Sequence, residues 1–386
     1  MSTIPTTAQA WRFPVDQKSW NGHKSLELRE VKITPPKQGE VLVKLRAAAL
    51  NYRYVARNTQ LASLLIELTL IGKGQYPGPL STGPDGQGLI PSCDGAGEVV
   101  AVGEGVTQWR KGDRVHSLFF ETWFDGPIQV RGIFGGGTPG CLAQYRYSKT
   151  MIVNAHTLTI SHRVFDAKAL LPIPAHLSYE EAATIPCAAL TAWHSLFEKR
   201  PVTKDSTVLV LGSGGVSVFG AQLAKAAGAR VIATTSSKEK AAKYKDLGVD
   251  DIINYREVPE WSNKVRELTE GKGVEHVLEV GGQGTLMQSI KSAKREGLVH
   301  VIGAVAQGNP GGETIQDLAM TLLFGQALIA GIVVGSKAMC ERLDAFMAEH
   351  KIKPVIDRVF GWTEVVNALD YQLSGSHFGK IVVKID

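Results

Sequence analysis

From Gln9 to about Ala49, apolar and polar residues alternate between turn signals, as in KSLELREVKITPPKQGEVLVKLRAAAL. A period of two with Val, Leu and Ile on one phase predicts short antiparallel strands, and Pro35, Pro36 and Gly39 mark a hairpin-like break between them. The same pattern resumes over 94–120, DGAGEVVAVGEGVTQWRKGDRVHSLFF, where glycines punctuate Val-rich runs. Together these stretches predict a compact β domain. The apolar run LASLLIELTLI (61–71) is too short for a membrane span and is interrupted by Glu67, so it reads as a buried helix. Residues 132–148 read as an irregular, glycine-rich loop.

Near 173–197 the period changes. Ser178 followed by Glu181 is a capping box that opens a helix. From there to about 335, apolar strands and helical patterns alternate: TVLVLG, ARVIATT, DIINY and VEHVLEVG, each followed by a helix, then LVHVIGA and finally ALIAGIVVG. Six such strands predict an α/β fold, a doubly wound six-stranded parallel sheet with helices on both faces. The tail holds a helix (336–350), KPVIDRVFGW, another helix and the strand GKIVVKI, and is expected to return to the β domain. The predicted division is therefore 1–174 with 344–386 for the β domain and 175–343 for the parallel-sheet domain, with a cleft between them.

Length and composition fit this two-domain reading: 386 residues, 44% hydrophobic and 20% charged. The net charge of +5 is spread along the chain with no basic run, so no nucleic-acid partner is expected. Cys93, Cys141, Cys187 and Cys340 show no paired spacing, which speaks against a disulfide scaffold or a structural zinc lobe and for a reducing compartment. The first residues, MSTIPTTAQAWRFP, lack the form of a secretory signal. A cytoplasmic protein with no membrane partner is the expectation.

Candidate chemistry centres on VLVLGSGGVSVFG, where Gly212, Gly214 and Gly215 follow a strand and precede a helical pattern. Such a turn brings main-chain N–H groups and a helix N-terminus up to a pyrophosphate. The third glycine position carries Ser217, small enough for helix–strand packing, with Gly220 one turn on. At the end of the next strand, ATTSSKEK offers Thr234, Thr235, Ser236, Ser237, Lys238 and Lys240 where a carboxylate would meet a free ribose 2′-hydroxyl. Hydroxyls and ammonium groups suit a 2′-phosphate, so NADPH is favoured. The competing reading is a plain helix start capped by Ser236 or Ser237.

LNYRY, DGAGEVVAVGEGVTQWRKGDRV, IPCAALTAW, the glycine turn and GSHFGKIVV together resemble the medium-chain dehydrogenase/reductase superfamily, over nearly the whole chain. The likeness is greatest to its zinc-free quinone oxidoreductase-like and zinc-type alcohol dehydrogenase-like branch. The resemblance implies a GroES-like β domain, a Rossmann domain, an active site in the cleft and a homodimer joined along the Rossmann sheets. It also implies that Gly212, Gly214, Gly215 and Val216 hold the pyrophosphate and that Thr191 lies near the nicotinamide. By the same likeness Ser236, Lys240 and Tyr255 surround the 2′-phosphate, with Ser237 beside Ser236 in the chain a further cofactor-binding candidate. Gly281, Gly282, Ile302, Gly303 and Val333 to Gly335 border the adenine ribose and nicotinamide.

Zinc-dependent relatives carry a Cys where this chain has Asn51, and His-Glu where it has Cys93-Asp94; Cys187 falls at their third ligand position. The four-cysteine structural lobe is missing. No metal is expected, although convergence of Cys93, Asp94 and Cys187 would overturn that expectation. Without a metal, hydrogen-bond donors must stabilise the oxygen charge that hydride transfer creates. An α,β-unsaturated ketone or quinone suits such a site, because conjugation spreads the charge. Tyr52 and Asn51 are the candidate catalytic residues, Tyr52 as donor to the nascent enolate, and Arg53 is a candidate anchor for Asp94. Phe119, Phe120 and Trp123 are expected to wall an apolar pocket for a hydrophobic substrate, or else to be core. His116, His156, His194 and His377 show no partner in the sequence. The expected function is an NADPH-dependent oxidoreductase acting on an enone or quinone. The alternatives are alcohol–aldehyde interconversion and a non-catalytic NADPH-binding protein.

Overall fold

A computed structural model describes residues 5–16, 19, 21–51, 86–128, 140–148, 165–303, 312 and 314–386. The stretch 61–71, Tyr52, Arg53, residues 132–139 and His156 lie outside the described residues.

In chain order the first strands are β1 (Thr7–Arg12), β2 (Glu27–Lys32), β3 (Glu40–Ala49), β4 (Asp94–Val102), β5 (Arg114–Ser117), β6 (Tyr145–Ser148), β7 (Phe165–Asp166) and β8 (Leu170–Pro172). Helices α1 (Tyr179–Ala182) and α2 (Leu190–Trp193) follow, with π-helical turns at Ile185–Ala189 and His194–Glu198. Next come β9 (Thr207–Val210), α3 (Gly215–Ala226), β10 (Arg230–Thr235), α4 (Lys238–Asp246), β11 (Asp251–Asn254), α5 (Trp261–Leu268) and β12 (Val274–Glu279). The chain continues through α6 (Leu286–Ser292), β13 (Ala293–Val301), α7 (Ile315–Gly325) and β14 (Leu328–Gly331). It ends with α8 (Lys337–Glu349), β15 (Ile356–Phe360), α9 (Val365–Ser374) and β16 (Lys380–Lys384).

The chain forms two units: residues 1–187, 335–348 and 356–386 in the first, and 188–334 with 349–355 in the second. In the first unit, β1 and β2 form an antiparallel pair, while β3 belongs to a separate sheet ordered β15-β16-β3-β4-β5-β8, with β6 and β7 also on β3. The break at Pro35-Pro36 is therefore a passage between sheets and not a hairpin. Two successive residues without N–H groups cannot extend a ladder, so pairing stops there. Strand β3 is buried on both faces. Val41, Val43 and Leu45 enter the main core with Val99, Val115 and Val383, while Leu42 joins Ala8 and Ile33 on the other side. Ser178 caps α1, its hydroxyl accepting from the Glu181 N–H while the Glu181 carboxylate accepts from the Ser178 N–H. This helix packs on β3, β4 and β16, which is why the first unit extends as far as Cys187. The tail completes the same sheet, β16 lying antiparallel to β3 with Val382 opposite Ala49.

The second unit is a parallel sheet ordered β11-β10-β9-β12-β13-β14 among the described residues. Its central strands are covered on both faces, so Val208, Leu209, Val210, Val231, Ile232, Val277 and Leu278 are fully buried. The order of connection reverses between β9 and β12, and ligand crevices open at the carboxyl ends beside such a switch point.

Candidate active site

The glycine turn lies at that switch point. Strand β9 ends at Val210, Gly212 takes a left-handed φ of 71°, and Gly214 stands in extended conformation as the N-cap of α3. No side chain caps the helix. A Cβ built on Gly212 or Gly214 would meet nothing within 4 Å, so the main chain here borders open space. Exposed N–H groups, a helix dipole and an unfilled cradle suit a diphosphate, and the residues fit a dinucleotide. The turn is held from behind by Thr234, whose Oγ1 accepts from the Gly212 N–H at 3.2 Å, and by Tyr244, which donates to the Gly212 carbonyl at 2.6 Å. Burial pushes the Tyr244 hydroxyl far up, which keeps it a donor. Ser217 is buried and donates to the Leu211 carbonyl at 2.6 Å. Gly220 permits the close helix–strand approach: a Cβ there would lie 2.5 Å from Leu278 Cδ2.

The other nucleotide candidates gather at the carboxyl ends of neighbouring strands. Ser236 and Ser237 follow β10, and Tyr255 follows β11, in which Asn254 lies opposite Thr235. Ser237 serves as the N-cap of α4, accepting from the Lys240 N–H at 3.3 Å, so the capping reading holds for this hydroxyl. Ser236 and Lys240 are half-buried and Tyr255 is exposed. Gly281 and Gly282 follow β12, and both donate to the buried Glu279 carboxylate, at 2.7 and 2.8 Å. Thr285 and Ser289 donate to the same carboxylate. Ile302 and Gly303 follow β13 and donate back to the Glu279 carbonyl. Thr191 is buried in α2, which packs on α3, and Val333 is exposed just beyond β14. The next residue, Val334, takes a φ of 41°, with its carbonyl accepting from His194 Nδ1 at 2.8 Å, and Gly335 opens the return to the first unit.

In the first unit, the ends of β3, β4 and β16 bring together Asn51, Cys93, Asp94 and Lys380. The buried Lys380 ammonium donates to the Leu50 carbonyl and to Asn51 Oδ1, both at 2.7 Å, and stands 3.6 Å from Asp94 Oδ2. Asn51 Nδ2 donates to Cys93 Sγ at 3.3 Å, and the Cys93 thiol donates to Asp94 Oδ1 at 3.2 Å. Burial pushes the Asp94 carboxyl up, against the opposing pull of Lys380, Asn51 and Cys93. The expected Asp94 anchor, Arg53, lies outside the described residues, and Lys380 does that work. No local feature of GKIVVKI marks it out, since Lys384 stands in the same strand.

A catalytic zinc fits these residues poorly. Asn51 offers an amide in place of a thiolate, and an ammonium already faces its oxygen and the Asp94 carboxylate. Among the described residues, Cys93, Asp94 and Cys187 do not form a set of mutually close ligand atoms; His116, Cys340 and Asp344 do. His116 thus has partners that its sequence context does not show. Phe119, Phe120 and Trp123 form an edge-on aromatic cluster, with centroids 4.8 and 5.7 Å apart, and all three are buried. Tyr52 lies outside the described residues.

Residues 37–157 match the alcohol dehydrogenase GroES-like domain family and residues 215–349 the zinc-binding dehydrogenase family. A zinc-type alcohol dehydrogenase-like protein of Schizosaccharomyces pombe is 40% identical, over 90% of this chain and 91% of its own length. The 2-methylene-furan-3-one reductase of Solanum lycopersicum is 30% identical over 99% of this chain and 80% of its own. A solved NAD-dependent alcohol dehydrogenase superposes with a TM-score of 0.77 at 28% identity, covering 98% of this chain and all of that one. The chain belongs to the medium-chain dehydrogenase/reductase superfamily. It is a nicotinamide-dependent oxidoreductase.

Proposed function

We propose that this protein is an NADPH-dependent reductase of an activated C=C bond or a quinone in a hydrophobic small molecule, working without catalytic zinc. The observation that carries this reaction class is the buried Lys380 ammonium between Asn51 Oδ1 and Asp94. A fixed cation whose charge is already balanced leaves no Lewis acid for a localised alkoxide, whereas a conjugated enolate needs only hydrogen-bond donors. The similarity to a 2-methylene-furan-3-one reductase, named for an enone, supports the same class.

The bound dinucleotide supplies the hydride. Gly214, Gly215 and Val216 hold its diphosphate through main-chain N–H groups, and Gly212, its own N–H bonded to Thr234, makes the turn that presents them. Ser236 follows β10, Lys240 lies in α4 and Tyr255 follows β11, and Glu239 in the first turn of α4 is exposed 3.9 Å from Lys243. That surface suits a 2′-phosphate. Thr191, Gly281, Gly282, Gly303, Val333 and Gly335 border the ribose and nicotinamide. Asn51 is held as a polar wall of the substrate site, the adjacent Tyr52 donates the proton, and Phe119, Phe120 and Trp123 give the pocket its apolar character.

The four cysteines are free in the structure and suit a reducing cytoplasm. Among the described residues no helix is long and apolar enough to cross a membrane. The protein works as a homodimer: edge strand β14 exposes Leu328 and Ile329, and α7 exposes Ile315, Leu323 and Phe324.

Following the reduced-nicotinamide absorbance with enones, quinones, aldehydes and alcohols tests the proposal. Turnover of NADPH with enones or quinones is expected. Turnover confined to aldehydes and alcohols establishes the alcohol dehydrogenase reading instead, and binding without turnover establishes a non-catalytic protein.

A further inference from the structure

Three side chains of the first unit with no part in the proposed reduction converge between β5 and α8. His116 Nε2 lies 2.9 Å from Asp344 Oδ2, and the ligand atoms of His116, Cys340 and Asp344 all lie within 4.8 Å of one another. His116 and Cys340 are fully buried, and Asp344 Oδ1 is buried with no hydrogen-bond partner. Cys340 and Asp344 stand one turn apart on α8, a spacing that turns both side chains to one helix face.

The ring of His116 is oriented by its own neighbour. Nδ1 donates to the Ser117 carbonyl at 3.0 Å, which leaves the Nε2 lone pair facing the Asp344 carboxylate in the neutral ring. Two lone-pair atoms at that distance repel unless a positive charge joins them. A proton on Nε2 satisfies that one contact and leaves Asp344 Oδ1 unpartnered. A divalent ion satisfies both, and an imidazole tied through its other nitrogen to a backbone carbonyl is the usual outer support of a metal-ligating histidine.

We propose that His116 Nε2, Cys340 Sγ and Asp344 form a buried structural site for zinc, with the second oxygen of Asp344 completing four donors. The donor set of imidazole, thiol and carboxylate is zinc's own. Binding forms one metal–nitrogen, one metal–sulfur and two metal–oxygen bonds, and it displaces two protons to solvent, one from the Cys340 thiol and the one that joins His116 Nε2 to Asp344 in the ion-free site. Neutral imidazole, thiolate and carboxylate then balance a divalent charge, which a buried site requires. Burial and the nearby Asp344, Glu341 and Asp94 carboxylates hold the thiol protonated until a cation arrives. The ion ties α8 to β5, and its ligands are other residues than Asn51, Cys93 and Cys187, although Ser117, next to His116, donates to the Cys93 carbonyl at 3.1 Å.

The test uses the full-length chain, stripped with chelator and reloaded with cobalt(II) as a coloured substitute for zinc. Uptake of about one ion per chain is expected, with a thiolate-to-cobalt charge-transfer band and tetrahedral visible bands. Cys340→Ser should lose the charge-transfer band, Asp344→Asn should weaken uptake by roughly 10-fold or more, and Cys93→Ser should retain both signals. Zinc should raise the melting temperature of the parent and not of Asp344→Asn. Far-UV circular dichroism establishes that each scored variant is folded, and Asp344→Asn decides if Cys340→Ser does not fold. A band that survives Cys340→Ser and vanishes in Cys93→Ser overturns the proposal, as does a folded parent that retains no ion after desalting.

Discussion

Lys380 and Asn51, more than three hundred residues apart in sequence, meet ammonium to amide oxygen at 2.7 Å. That bond fixes which way the amide faces. With Oδ1 turned to the cation, Nδ2 is left for Cys93 Sγ, and Asn51 is oriented without help from substrate. Lys380 also balances the charge of Asp94, which is fully buried. Removing one partner of a buried pair leaves an uncompensated charge, so Lys380→Met should destabilise the protein by about 3–5 kcal/mol. Asp94→Asn added to it should recover part of that loss, a non-additivity that denaturant titration of the single and double variants measures.

The pH dependence of that variant follows from the direction of the Asp94 shift. Burial raises its folded pKa above the unfolded one, so Asp94 favours folding at low pH and loses that contribution as pH rises through the folded value. Without Lys380 the folded value rises further. The deficit of Lys380→Met relative to the parent should therefore be smaller in mild acid than at neutral pH, in paired melting curves. An equal deficit at both would mean that the lysine acts through packing alone.

Gly214 and Gly220 stand in one turn-and-helix segment, yet their substitutions should report on different properties. A methyl group on Gly220 meets Leu278 at 2.5 Å, so Gly220→Ala should cost about 1–3 kcal/mol of stability through overpacking. A methyl group on Gly214 meets nothing, and its φ of −76° suits alanine. Gly214→Ala should therefore fold with stability within about 1 kcal/mol of the parent. Its NADPH affinity, measured by quenching of tryptophan fluorescence, should fall roughly 10-fold, equivalent to about 1.4 kcal/mol.

The parallel sheet is readable in the sequence because its strands are buried on both faces and so appear as contiguous apolar runs between helical periods. Ser178-Glu181 and the glycine turn are readable because capping and anion binding use residues adjacent in the chain. Lys380 and Asp344 carry no such local mark. Each acquires its role from a partner on a distant strand, Leu50 and Asn51 for the first and His116 for the second, and only the register of β16 on β3 and the packing of α8 bring them together. The aromatic run 119–124 divides similarly: Phe119, Phe120 and Trp123 pack against one another while Phe124 stays partly exposed, a division that composition does not express.

His276 and His300 stack in parallel within the second unit, Nδ1 to Nε2 at 3.1 Å, with the remaining nitrogen of each buried and unpartnered. Burial, with Arg200 nearby, holds His276 down at about 4; burial and the neighbouring His276 hold His300 at about 3. An unfolded histidine takes up its proton near pH ~6.5. The stability that this neutral pair contributes is therefore present above ~6.5 and is lost as pH falls from there toward the folded values. Melting temperature measured against pH should drop across that window, and replacing both histidines with glutamine should flatten the drop.

The outer edge of the parallel sheet has the composition of an interface. Among the described residues strand β14 pairs with β13 on one side only, and Leu328 and Ile329 are 47% and 40% exposed. Helix α7 buries none of its residues, leaving Leu323 67% and Phe324 71% exposed. An unpaired strand beside an uncovered apolar helix invites pairing with another chain, and a second copy offers the same edge by two-fold symmetry. Leu323→Glu combined with Phe324→Glu should convert a dimer to a monomer in sedimentation velocity, because each carboxylate would have to be desolvated without a partner. The monomer should keep its secondary structure, since neither side chain belongs to the core of its own unit. A parent chain that already sediments as a monomer at micromolar concentration would remove the basis for a homodimer at this edge.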